Sequence, residues 1–279
     1  MNSFRFLSRY SHIAVAFVIV LVLGLGSYSP AAAIRFGELD GDGHPYVGLA
    51  VFDDEYGNPM WRCTGTLISP TVFLTAGHCT DGAFGATVWF ESQVLRGDAA
   101  FNFPFGGSTS FDGLPYTHPQ FDPNAFNLFD LGVVVLAEPV ILDEYGALPE
   151  LGLFDPLFTQ RGRQNQEFTA VGYGLQFTNP ARTQADLDRY RATVQIITGD
   201  NLFGGASVFD TDDEAVLFTN NASGGGTCFG DSGGPIFWAD TNIVAAVTSY
   251  GINQNCAGTG GGYRVDTTDD LAWLATFLD

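Results

Sequence analysis

Beyond residue 34 the chain is a succession of short apolar segments rich in Val, Phe, Thr and Tyr, broken by Gly, Pro, Asp and Asn about every ten residues. That spacing suits strands joined by turns, and it predicts an all-β fold. Strands are expected over residues 46–52, 65–68, 72–75, 87–90, 131–136, 168–172, 193–197, 235–238 and 243–249. Helix is scarce until the end, where Thr267 or Thr268 can cap a terminal α-helix. That helix carries Asp269 and Asp270 in its first turn and is expected to bury Leu271, Leu274 and Leu278 at i, i+3 and i+7. Residues 143–166 are the candidate linker between two halves. Residues 101–113 and 201–226 read as surface excursions, and Phe101, Phe103, Phe105 and Phe111 either line a binding rim or cover the fold.

Residues 1–33 follow another pattern. Arg5 and Arg9 precede an apolar run over residues 13–25, and the stretch ends at Ala31-Ala32-Ala33, the layout of a cleavable export leader. The run is about 13 residues long, short of the roughly 20 that span a bilayer. Residues 34–279 are therefore expected to form a secreted, soluble domain, extracellular or periplasmic, with no stable membrane association. Loss of the leader removes two arginines and no acid, moving the formal net charge from −20 to −22. With 11 arginines, no lysine and 31 acids, the field repels nucleic acid and favours neutral or basic partners. Cys63, Cys79, Cys228 and Cys256 stand behind an export signal as an even set, so disulfides are expected, in one of three pairings. A zinc site at His78 and Cys79 is disfavoured by the lack of a C-x-x-C pair. Asp40-Gly41-Asp42-Gly43 and residues 210–214 lack a complete calcium-ligand spacing and read as turns or acidic loops.

The segment with the most chemistry in it is Gly230-Asp231-Ser232-Gly233-Gly234-Pro235. A serine hydroxyl is a weak nucleophile unless a base lies within reach, a third group orients that base, and N–H donors await the oxyanion. The flanking glycines let the backbone turn so that the amides of Gly230 and Ser232 point into one hole. Four histidines are available, and His12 leaves with the leader. His44 and His118 precede prolines in polar stretches and are expected to be solvent-exposed. His78, in Thr75-Ala76-Gly77-His78-Cys79, follows a strand and adjoins a cysteine that can pin its backbone. The orienting acid is sought where an aspartate heads a buried strand, and Asp130 precedes the apolar run 131–136. A carboxylate pressed against such a run needs a partner. Gly230 to Gly234 also satisfies Gly-x-Ser-x-Gly, but an α/β-hydrolase elbow requires a histidine after the serine, and no histidine follows His118.

The order His78, Asp130, Ser232 resembles that of the chymotrypsin/trypsin family of serine peptidases. Matching segments are residues 63–69, 75–79, Asp130-Leu131, Gly172-Tyr173-Gly174, 230–235, Ser249-Tyr250-Gly251 and Gly262-Tyr263. The resemblance covers residues 34–279 and implies two six-stranded β-barrels, about 34–150 and about 151–279, with the site in the cleft between them. It supports the pairs Cys63–Cys79 and Cys228–Cys256. It implies that His78 takes the proton of Ser232 and later gives it to the leaving amine, while Asp130 holds the imidazole tautomer. Protein or peptide substrates and a monomeric enzyme are expected, with no metal or organic cofactor. Rival readings are a relative that binds without catalysis and an esterase built on the same triad.

By the same likeness Gly226 lies at the floor of the primary specificity pocket, Gly251 and Gly261 form open walls, and the backbone of Ser249, Tyr250 and Gly251 pairs with substrate as an added strand. An uncharged floor predicts cleavage after large apolar or aromatic residues. Family members are matured by a cut that frees an amine, which pairs with the acid before the nucleophile. Here that acid is Asp231 and the terminus is Ile34, released by removal of the leader itself. Activity is then expected to decline in alkali as this amine, intrinsically near a pKa of about 8, loses its proton.

Overall fold

A computed structural model describes residues 34–125, 128–159, 166–179, 182–184, 186–198 and 215–278. The expected leader and the acidic run 210–214 lie outside them. In chain order the first strands are β1 (Glu38–Leu39), β2 (Val47–Asp53), β3 (Pro59–Leu67) and β4 (Val72–Thr75), then the one-turn helix α1 (Gly77–Thr80). β5 (Gly85–Trp89), β6 (Phe111–Thr117) and β7 (Gly132–Leu136) complete the first half. After α2 (Asp155–Thr159) come β8 (Glu167–Gly172), β9 (Phe177–Asn179), β10 (Arg182–Gln184), β11 (Tyr190–Thr198) and β12 (Ala215–Asn220). The chain closes with β13 (Pro235–Trp238), β14 (Val244–Gly251), β15 (Gly258–Arg264) and α3 (Thr268–Ala275). Among the described residues no helix is long and apolar enough to cross a membrane.

The strands form two closed six-stranded antiparallel barrels. The first runs β2-β3-β4-β7-β6-β5 and closes through β2 and β5. The second runs β11-β12-β15-β14-β13-β8 and closes through β8 and β11, with β1 added beside β11. A barrel of this size has no lumen, so inward side chains fill it. Val47, Leu49, Phe73, Leu74, Val133 and Val134 occupy the first interior, and Phe168, Ala170, Val216, Phe218 and Ala246 the second. Close strand approach dictates glycine at Gly65, where a Cβ would lie 2.4 Å from the Phe73 ring and 2.5 Å from the Leu74 carbonyl.

Several expectations need correction. The supposed excursion 201–226 contains β12, whose burial is nearly complete, and residues 111–113 open β6. β15 was not anticipated at all. Phe101, Phe103 and Phe111 pack against the first core, while Phe105 points outward. The terminal helix starts where expected, with Thr267 Oγ1 accepting from the Asp270 amide at 3.3 Å. Leu278 lies past its end and is exposed, because α3 stops at Ala275; Leu274 and the carboxylate-bearing Asp270 are the residues it buries.

Both histidines expected in solvent are enclosed. His44 stacks on Phe237 and holds Asp40 through Nδ1 at 2.6 Å. His118 lies flat on Phe129 and edge-on to Trp273 of α3. Asp40 is thus no calcium ligand, for its carboxylate also accepts from Arg189 Nε at 2.9 Å. Arg189 is 1% exposed. Its guanidinium donates further to the carbonyls of Gly41, Val47 and Phe90 and to the Tyr173 hydroxyl. Tyr173, at the end of β8, donates its own hydroxyl to the Glu91 carbonyl at 2.7 Å. These bonds satisfy a buried cation and tie the second barrel to the first.

Candidate active site

His78 sits in α1, directly after β4. Gly77 lets this turn close on the next strand's approach, since a Cβ there would lie 3.0 Å from the Leu131 amide. The turn is pinned on its other side by the disulfide Cys63–Cys79, and the Trp61 indole donates to the Cys79 carbonyl at 2.8 Å. Both sulfurs are consumed in that bond, so the grouping of Cys63, His78 and Cys79 offers a metal only one nitrogen. The second disulfide joins Cys228 to Cys256 beside the serine segment.

Asp130 is fully buried and accepts three donors. The His78 amide reaches Oδ1 at 2.8 Å, His78 Nδ1 reaches Oδ2 at 2.8 Å, and Ser249 Oγ reaches Oδ2 at 2.5 Å. The carboxylate thereby places the ring proton on Nδ1 and leaves Nε2 as the acceptor. Burial pushes the His78 pKa down, but the Asp130 charge and hydrogen bond outweigh it and hold the imidazole above its ordinary value. Phe129, which precedes the acid, takes a left-handed φ of 50° and rests on His118.

Ser232 comes from the loop before β13, yet it is braced by the first barrel. The Thr64 amide donates to the Ser232 carbonyl at 2.8 Å and Thr64 Oγ1 to the Gly230 carbonyl at 2.9 Å. Gly233 lies so close to β4 that a Cβ would fall 2.0 Å from Thr75 Oγ1. Within the loop the amides of Asp231, Gly233 and Gly234 donate to carbonyls. Those of Gly230 and Ser232 have no acceptor among the described residues. Gly230 adopts a φ of 99°, a region that suits glycine. His78 and Ser232 line one cavity of about 510 Å³, together with Thr227, Phe229, Tyr250 and Gly251.

The remaining expected residues fall less simply. Gly226 donates its amide to Arg35 at 3.0 Å, and the space a Cβ would take is filled by the Asn220 side chain, 2.4 Å away. Gly261 is not an open wall: it pairs with Tyr250 in register, and that ring covers it. The glycines that face each other are Gly251 and Gly260, and a Cβ on Gly260 would lie 3.0 Å from Thr227 Oγ1. Neither Asn220 nor Gly260 was signalled by the sequence, because each acquires its place through strand register.

Ile34 is buried in the second core, next to an Arg35–Gly226 bridge. Asp231 is also buried; its carboxylate accepts from the Gly174 amide at 2.7 Å and the Cys228 amide at 2.8 Å. Burial pushes its pKa up to about 7, against the pull of those two amides and of the Arg62 charge. No ion pair reaches Asp231 among the described residues.

Two closed antiparallel barrels, with His78 and Ser232 lining one cavity, form the chymotrypsin-like fold of a serine endopeptidase. The sequence profile of the trypsin family matches residues 43–273, and the chain belongs to that family. It is 28% identical to Serine protease 1 of Drosophila melanogaster over 82% of this chain and 79% of the relative. It is 29% identical to brachyurin of Leptuca pugilator, covering 83% of this chain and 92% of that one. Among solved structures HL collagenase superposes with a TM-score of 0.68 at 21% identity, covering 87% of this chain and 98% of the other. That last likeness concerns the fold.

Proposed function

We propose that the chain is a secreted endopeptidase in which Ser232 is the nucleophile, His78 the general base and acid, and Asp130 the group that orients it. Ser232 Oγ adds to the peptide carbonyl carbon as its proton passes to His78 Nε2. The carbonyl oxygen takes the electron pair and is held by the unclaimed N–H groups of Gly230 and Ser232. When the pair returns, the C–N bond breaks and His78 hands its proton to the leaving nitrogen. Water then adds to the acyl-enzyme by the same route and restores the hydroxyl. The observation that carries this reading is the buried Asp130, which fixes His78 through both ring and backbone beside a serine loop with two undonated amides. Labelling with a serine-directed phosphonate tests it: modification of wild type at Ser232, and none in Ser232→Ala, is the required result.

The primary pocket is read as the part of the cavity at His78 and Ser232 walled by Thr227, Phe229, Tyr250 and Gly251, none of which is charged; Asp81 also lines the cavity and Gly226 is not part of its lining, and this apolar wall supports cleavage after large apolar or aromatic residues. A cleavage-site profile dominated by Arg or Lys would overturn that preference. Maturation is read as release of Ile34 by leader removal, its new ammonium pairing with Asp231, whose buried carboxylate is otherwise protonated up to a pH of about 7. N-terminal sequencing of the active secreted protein is the check. Because Asp130 holds the imidazole pKa above the ordinary histidine value of 6.5, and catalysis needs the neutral base, kcat/KM should rise with pH through a midpoint above 6.5. A midpoint below that value, in a pH profile of kcat/KM, would contradict the coupling.

A further inference from the structure

Arg62 stands beside the proposed oxyanion hole, and among the described residues the Asp231 charge acts on it without an ion-pair contact. A Cβ on Gly230 would lie 3.1 Å from Arg62 Nε and 3.3 Å from Nη2, so the guanidinium rests against the backbone that presents the Gly230 amide. Among the described residues, carboxylates lie within 4 Å of Arg189, Arg191 and Arg264, but none does so for Arg62. The nearest charge of its own sign belongs to Arg96, which sits over the Phe103 ring at 4.8 Å. Burial first and the Arg96 charge second pull the Arg62 pKa down, and Asp231 offsets them only in part. In a chain with 31 acids and 11 basic residues, a part-buried guanidinium with a second cation near it, the exposed Arg96, and no carboxylate within 4 Å among the described residues is a costly arrangement in the folded state. Uncompensated charge of this kind collects where a ligand supplies the missing partner.

The position of Arg62 says which part of a substrate that is. The cavity holding the acyl side is walled by Thr227, Phe229, Tyr250 and Gly251, and Arg62 is not part of its lining. Arg62 instead precedes Cys63, whose disulfide runs to Cys79 next to His78. His78 must deliver a proton to the leaving nitrogen, and the bridge that adjoins it brings the strand carrying Arg62 to that side of the site. We propose that Arg62, supported by Arg96, is a specificity-determining residue that selects a carboxylate on the leaving fragment, within the first two residues after the cut. The inference rests on the proposed peptidase reading.

The test uses quenched fluorescent peptides with one common acyl half, carrying Asp, Asn or Lys at the first or second leaving-side position and an amidated end. A second set with neutral side chains compares a free with an amidated C-terminus directly after those positions, which separates a side-chain carboxylate from a terminal one. Wild type is expected to favour Asp over Lys in kcat/KM by about tenfold, less in high salt, as for a partly exposed charge pair. Arg62→Gln should flatten the series, Arg62→Lys should retain part of it, and Arg62→Glu should invert it. If the terminal carboxylate rather than the side chain gives the preference, the same variants should remove that preference instead. Because each readout is a ratio within one preparation, partial unfolding cancels. Equal cleavage of all peptides by wild type, or an unchanged order in the variants, overturns the assignment. So does a uniform loss across all peptides, which would give Arg62 a positioning role. Phosphonate labelling of Ser232 in the same samples reports separately on the underlying peptidase reading.

Discussion

Asp130 has no exposed surface, yet it is surrounded by donors: two from His78 and one from Ser249. A carboxylate in such a place is tolerable only when hydrogen-bonded, and its charge is what keeps the imidazole proton on Nδ1. Asp130→Asn keeps the shape but offers an N–H toward Nδ1, reversing the tautomer. Its kcat should fall by about 10⁴-fold with little change in thermal stability, as steady-state kinetics and a melting curve would reveal. Gly226→Asp, the obvious route to a basic-residue cutter, should fail for a packing reason. The new Cβ would lie 2.4 Å from the Asn220 side chain and 2.7 Å from the Asn220 Cα, so the variant should lose stability without gaining cleavage after Arg, and trimming Asn220 to glycine should recover only part of that loss because the backbone contact remains. A single mutant cleaving after Arg at full stability would refute this. Ser232, His78 and Asp130 were legible as candidates because each lies in a local motif and their order along the chain excludes the elbow fold. Asn220, Gly260 and Arg62 were not, because nothing near them in sequence says which loop they face.

At the scale of elements, the alternating or continuous apolar runs of β2, β4, β7, β8 and β13 announced themselves. β15 could not, since Gly258, Gly260, Gly261 and Gly262 give it almost no side-chain pattern. It is a strand because its neighbours supply the missing surface: the Tyr250 ring covers Gly261 and the Phe218 ring Gly262. Substituting either aromatic should therefore expose backbone on a strand with no cover of its own. The terminal helix was legible from its cap but not in its interior contacts. Asp270, in the first turn as expected, is buried, accepting from Tyr263 and from Thr267 Oγ1. Burial lifts its pKa to about 6, against those two hydroxyl donors. Thr267→Ala removes both the cap acceptor and one of these donors, and urea unfolding should show a loss of about 1–2 kcal/mol. A change within error would mean that water replaces the threonine at no cost.

For the whole molecule, composition and strand spacing were enough to anticipate an all-β fold and the family resemblance implied its two barrels, while the joint between them was invisible. Arg189 and Asp40 are far apart in sequence; Asp40 reads as part of an acidic turn, and nothing local to Arg189 marks it as buried. Together they form a buried pair that reaches across both halves. Arg189→Met should destabilise the protein by about 3–5 kcal/mol, because Asp40 is left charged and enclosed with only His44 beside it. The double variant Arg189→Met with Asp40→Leu should recover part of that loss in denaturant titrations; no recovery would show that the carbonyl contacts, not the charges, hold the joint.

The bracing of the Ser232 loop against Thr64 and Thr75 has a consequence for how such a molecule can fail. Although the nucleophile is encoded with the second barrel, its resting place is bolted to the first, so the halves cannot slide apart while the reactive hydroxyl stays aligned. Loosening of the seam and silencing of the chemistry become a single event, and no gaping yet competent form lies along the way to denaturation.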